Sequence, residues 1–182
     1  MVFKVAELIT ELKQYVTSHI EFVESLKNEA EDKLQERDNS KSWSVLECLE
    51  HLNLYAALYN PEINKRIEKT KYPKSEIFKP SYLGNKFAVD MLPKDEMKTM
   101  NTFKSKNPIY SELKKDEVLE SFITFQKELL DLLELATTKD LTKTKTWTTL
   151  PLVRFRLGDT LRFVISHNER HIVQAKKVLG KF

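Results

Sequence analysis

Only three of the 182 residues are glycine, six are proline and one is cysteine. A single cysteine, Cys48, excludes an internal disulfide framework and a cysteine-rich zinc site, and it agrees with a reducing compartment. So few glycines and prolines suit a helical chain, because helix interiors exclude both residue types. No apolar run approaches the roughly 18 residues of a membrane span. The amino-terminal stretch MVFKVAELITELKQ carries a charge every few residues, which argues against a signal peptide and leaves the cytoplasm as the expected location. A surplus of one charge sign is missing too: 30 basic against 27 acidic residues give a net charge of +3, too small for a nucleic-acid footprint. The expected partner is therefore a small molecule, not a nucleic acid or a membrane. The length fits one domain, 1–182, able to bury a core without covalent staples.

What is present is helical periodicity. Val5, Ile9, Leu12, Val16, Val23 and Leu26 recur at spacings of three and four, with His19 filling the one gap, and predict a first helix over roughly residues 3–34. Ser44 and Glu47 form an S-x-x-E capping box ahead of Leu49, Leu52 and Tyr55, so a second helix starts at Ser44 and runs to about Lys69, with a kink or short break at Asn60-Pro61. Residues 71–112 hold Pro73, Pro80, Gly84, Pro93 and Pro108 and contain one helical-looking piece, YLGNKFAVDML. This crossover is too long for a tight turn, and it permits the second and third helices to run parallel. Val118, Phe122, Phe125, Leu129, Leu132 and Leu133 mark the third helix, about 115–137. Asp159 reads as the cap of a fourth, about 160–179, which ends at Gly180. Four long amphipathic helices joined by an extended crossover imply an all-α fold, a four-helix bundle.

The fourth helix contains SHNERHIVQAKK. His167 and His171 stand one turn apart on one face and can present both rings to one point in the bundle interior, where an unpaired polar ring is costly. His51, about 10 Å into the second helix, reaches the same level whichever way the fourth helix runs. Three neutral nitrogens would leave open positions for water or substrate. Cys48 and Glu47 are candidates for a fourth ligand; Cys48 reads equally as a small buried hydrophobe and Glu47 as the capping-box partner. A metalloprotease base follows its first histidine immediately, whereas Glu169 is two positions on from His167, about 200° around the helix, and cannot serve as that base. His19 has no visible partner and reads as a satisfied rim histidine. Tyr72, Phe78, Tyr82 and Phe87 of the crossover either line a pocket or pack on the bundle.

The motifs W-S-x-x-E-C-L-E-H-L at Trp43 to Leu52 and S-H-x-x-x-H-I-x-Q at Ser166 to Gln174 together resemble the DinB-like family of small metal-binding four-helix bundles. That resemblance implies an up-down-down-up topology, a divalent ion such as zinc or nickel on His51, His167 and His171, and a homodimer. It also implies metal-dependent hydrolysis or transfer of a low-molecular-weight thiol to an electrophile. The alternative is a metal-binding stress-response or interaction protein without turnover.

Overall fold

The computed structural model describes residues 1–94 and 102–180. The chain is mainly helical. A short strand β1 (Phe3–Lys4) leads into α1 (Val5–Leu26), followed by α2 (Glu31–Gln35) and α3 (Val45–Lys69). The crossover carries β2 (Ile77–Phe78), α4 (Tyr82–Met91) and a 3-10 turn at Lys104–Lys106 before α5 (Lys115–Ala136). A hairpin of β3 (Lys145–Trp147) and β4 (Arg154–Arg156) then feeds α6 (Leu157–Val178). The long helices pack in pairs: α3 against α5 and α6, and α1 against the same two. The crossover helix α4 lies along α6.

Apolar periodicity explains the interior of each helix. Val5, Leu8, Leu12 and Val16 of α1, Tyr59 and Ile63 of α3, Leu129 and Leu133 of α5, and Leu161 and Ile165 of α6 form one buried cluster. Val23 and Leu26, Leu49 and Leu52, Leu119 and Phe122, and Ile172 form a second. Between the two, each long helix contributes buried polar residues: His19 from α1, His51 and Asn53 from α3, Gln126 from α5, and His167 and Asn168 from α6. Buried polar groups need partners, and this layer supplies some internally, as when Asn168 Nδ2 donates to Gln126 Oε1 at 3.2 Å.

The second helix begins as its sequence dictates. Ser44 Oγ accepts from Glu47 N at 3.2 Å while Glu47 Oε2 accepts from Ser44 N at 2.8 Å, the reciprocal capping box. The break expected at Asn60-Pro61 is absent, and α3 runs through Pro61. Ala57, whose carbonyl loses its amide partner, and Pro61 are both exposed, so the freed carbonyl is open to solvent instead of buried without a partner.

Three other expectations are corrected. The first helix stops at Leu26, not near residue 34: Lys27 N donates to Glu24 O at 3.2 Å and Glu29 N to Leu26 O at 3.0 Å, three-residue bonds that close a tight turn in place of the next helical one. The chain turns instead, and α2 returns Leu34 to the core. The last helix starts at Leu157 with no side-chain cap, and Asp159 serves a neighbour. Its Oδ2 accepts from Ser81 N at 2.9 Å and from Ser81 Oγ at 2.7 Å, joining α6 to the cap of α4. This approach is close enough that a Cβ on Gly84 would stand 2.5 Å from Asp159 Cγ, so the position requires glycine. Finally, two short antiparallel strand pairs, β1 with β2 and β3 with β4, occur where no strand was expected. At two or three residues each, they are too short to show an alternating pattern.

Candidate metal centre

His51 lies two turns into α3, set there by the capping box, and His167 and His171 lie one turn apart in the middle of α6. The packing of α3 on α6 brings all three rings together, with one ring nitrogen of each within 4.8 Å of the others. His51 Nε2 and His167 Nε2 are 3.2 Å apart. Two nitrogens at the usual 2.0–2.1 Å from one tetrahedral ion stand roughly 3.3 Å apart, so this pair already has a ligating separation. His51 Nδ1 donates to the Lys106 carbonyl at 2.6 Å, which leaves Nε2 with its lone pair toward the cluster. The donor set, three imidazoles with no carboxylate or thiol among the described residues, suits a borderline-soft divalent cation.

Aromatic rings wall the cluster. Trp43 packs on His51 at 4.6 Å and on His171 at 5.5 Å between ring centroids. Tyr55 lies 4.9 Å from His51 and 4.8 Å from His167, and Phe163 stacks parallel on His167 at 6.0 Å. Trp43 is itself held by the crossover, because its indole N–H donates to Asn107 Oδ1 at 3.1 Å.

Burial in these apolar walls favours neutral rings. It pushes His51 down to about 4, with the Lys106 ammonium adding to the effect and the hydrogen bond to the Lys106 carbonyl opposing it. It pushes His171 down to about 3, reinforced by His51, and holds His167 well below the ordinary imidazole value. Neutral imidazole is the form that ligates, so the rings stay competent well below pH 6.5. The sign of the stability effect follows. The folded chain resists protons that the unfolded chain takes up below about 6.5, so stability falls as pH drops from 6.5 toward 4, by up to about 1.4 kcal/mol per pH unit for each ring. Urea unfolding of the metal-free protein between pH 7 and 4 should show that slope, and His51→Gln should make it shallower by the share of one ring.

The remaining candidates are placed elsewhere. Glu47 is buried and spent: Arg37 donates to it from Nε at 2.8 Å and Nη2 at 2.7 Å, and Tyr110 N donates at 2.9 Å. Burial acts to raise its carboxyl, but the bonds from Arg37, Ser44 and Tyr110 outweigh burial and hold it below the usual value. Cys48 packs among Val45, Leu49 and Leu52 as a small buried hydrophobe, its thiol pushed far up by burial. Neither belongs to the cluster. His19 is not at a rim but fully buried, and its partner is Glu169, whose Oε2 lies 2.7 Å from His19 Nε2. Of the crossover aromatics, Phe78 is buried in the core, Phe87 packs on Phe155 and Phe163, and Tyr72 and Tyr82 are exposed.

Residues 11–175 match the sequence model of the DinB superfamily. The chain belongs to that superfamily. No curated protein and no solved structure matches it. In this DinB-superfamily chain the motif residues Trp43, His51, His167 and His171 are spatial neighbours. Tyr55 shares the His51 face by its spacing of four residues, and Phe163 stands in the same relation to His167, four residues before it, a signal the row of apolar residues hides. Lys106 and Asn107 carried no comparable signal, since they approach from a crossover without periodicity.

Proposed function

We propose that this chain is a divalent-metal protein in which His51, His167 and His171 hold one ion, zinc or nickel, in the interior of an up-down-down-up four-helix bundle. The convergence of three neutral ring nitrogens carries this reading. Bound there, the ion supplies Lewis acidity to a water or to a low-molecular-weight thiol, for hydrolysis or for transfer to an electrophile. The chain's own residues bring the neutral donors, the aromatic walls that exclude bulk water, and a carbonyl that fixes the His51 proton on Nδ1. A second reading has its own support: among the described residues no carboxylate joins the cluster, and Glu47 and Glu169 are engaged elsewhere. On that reading the chain binds metal without turnover, as a stress-response or interaction protein.

Elemental analysis of the purified protein, followed by turnover assays with esters, amides and thiol-plus-electrophile pairs, separates these readings. One equivalent of metal with turnover of any panel supports the enzyme, metal without turnover supports the second, and metal-loaded protein that retains none after dialysis removes both. The protein is further proposed to be a homodimer in the cytoplasm; a monomer by sedimentation at micromolar concentration would remove the dimer. No described helix is long and apolar enough to cross a membrane.

A further inference from the structure

Two histidines of the cluster are each held from behind. His51 has the Lys106 carbonyl on Nδ1. His171 has a side chain in the equivalent place: its Nδ1 lies 2.9 Å from Gln174 Oε1, one turn further along α6. Gln174 is half-buried, and the His171 ring is wedged between Trp43 at 5.5 Å, His51 at 4.6 Å and His167 at 4.7 Å. A neutral imidazole carries one proton, and which nitrogen bears it decides which nitrogen has a lone pair to give. An amide oxygen facing Nδ1 stabilises the tautomer with the proton there, which leaves Nε2 as the free donor.

We propose that Gln174 is a positioning residue of the metal centre, keeping the His171 proton on Nδ1 so that Nε2 presents its lone pair to the ion. The inference rests on the metal-binding reading above. Without the amide oxygen His171 divides between tautomers, and every ion that binds must first select the ring form that suits it. The apolar walls offer no substitute, because the Trp43 indole that packs on the same ring has no acceptor for that proton and gives its own N–H to Asn107. The same bond to Gln174 fixes the ring's orientation and raises its basicity as a ligand, and losing such a partner costs about 10–100-fold in metal affinity.

The test compares wild type with Gln174→Leu, which keeps the packing volume but has no acceptor, and Gln174→Glu, which keeps an acceptor at the same reach. In metal-free protein, nitrogen-detected NMR of the histidine rings should show His171 protonated on Nδ1 in wild type and Gln174→Glu. In Gln174→Leu it should be a tautomer mixture. Competition titration with zinc should show affinity about 10–100-fold lower for Gln174→Leu, with Gln174→Glu restoring it, while thermal unfolding of the metal-free proteins shows all three folded. Gln174→Leu with an unchanged His171 tautomer and unchanged zinc affinity overturns the role of Gln174 and leaves the three-histidine site standing. Wild-type protein that binds no zinc overturns both.

Discussion

His51→Ala, and the double variant His167→Ala with His171→Ala, should be folded proteins that retain almost no zinc or nickel after dialysis, where wild type retains one equivalent. Loss of a partner that only orients a ligand already costs about 10–100-fold, so loss of a ligand itself should exceed about 100-fold. The fold should survive because the cluster lies between two apolar cores that do not depend on it: Tyr59, Leu129 and Leu161 on one side, Leu49, Phe122 and Ile172 on the other. In this the chain differs from a zinc finger, whose folding energy is its metal. Circular dichroism and elemental analysis of the same samples check both halves. Stoichiometric metal in both dialysed variants would mean that SHNERH is only a helix face.

The control for that experiment carries the second large effect. His19→Ala should keep its metal, because His19 stands outside the cluster, and yet lose stability by roughly 2–4 kcal/mol. The His19 ring is fully buried, and the Glu169 carboxylate it faces is only 21% exposed, so the truncation leaves both a cavity and an unpaired acid. For a chain of this size that corresponds to a melting temperature lower by roughly 5–15 °C. His19→Gln, which can still donate to Glu169, should recover part of it. An unchanged melting temperature in His19→Ala would show that the pair contributes nothing, while loss of metal would extend the site to α1. The two variant sets thus separate along opposite axes, metal without stability loss of comparable size, and stability without metal.

The polar layer accounts for both behaviours. His19 and His51 interrupt apolar rows on different helices, and from the rows alone each is simply a histidine on a buried face. One is matched by a carboxylate and the other by two more imidazoles. Glu169 makes the difference visible: it sits between His167 and His171 in the chain, but it faces away from them toward α1. The expectation of a rim position for His19 failed because a partner about 150 residues away in sequence leaves no local trace.

Local physics was legible for the elements themselves. The three-and-four spacing located the cores of all four long helices, and the S-x-x-E box located the start of α3 to the residue, because both are short-range effects written in adjacent side chains. The spacing of His167 and His171 likewise required that they share a face. Asp159 shows where that reasoning stops: it has the chemistry of a cap, but the tertiary structure gives its carboxylate to Ser81 across the fold and lets the β3–β4 hairpin start α6 at Leu157, about three residues earlier. By itself, then, the sequence determined a helical chain whose histidines fall on buried faces, since periodicity and capping act within a few turns. Only the tertiary structure decided which buried histidine meets which partner, that Lys106 and Gln174 stand behind the cluster, and that Trp43 closes it, because those contacts depend on how α3, α6 and an aperiodic crossover pack together.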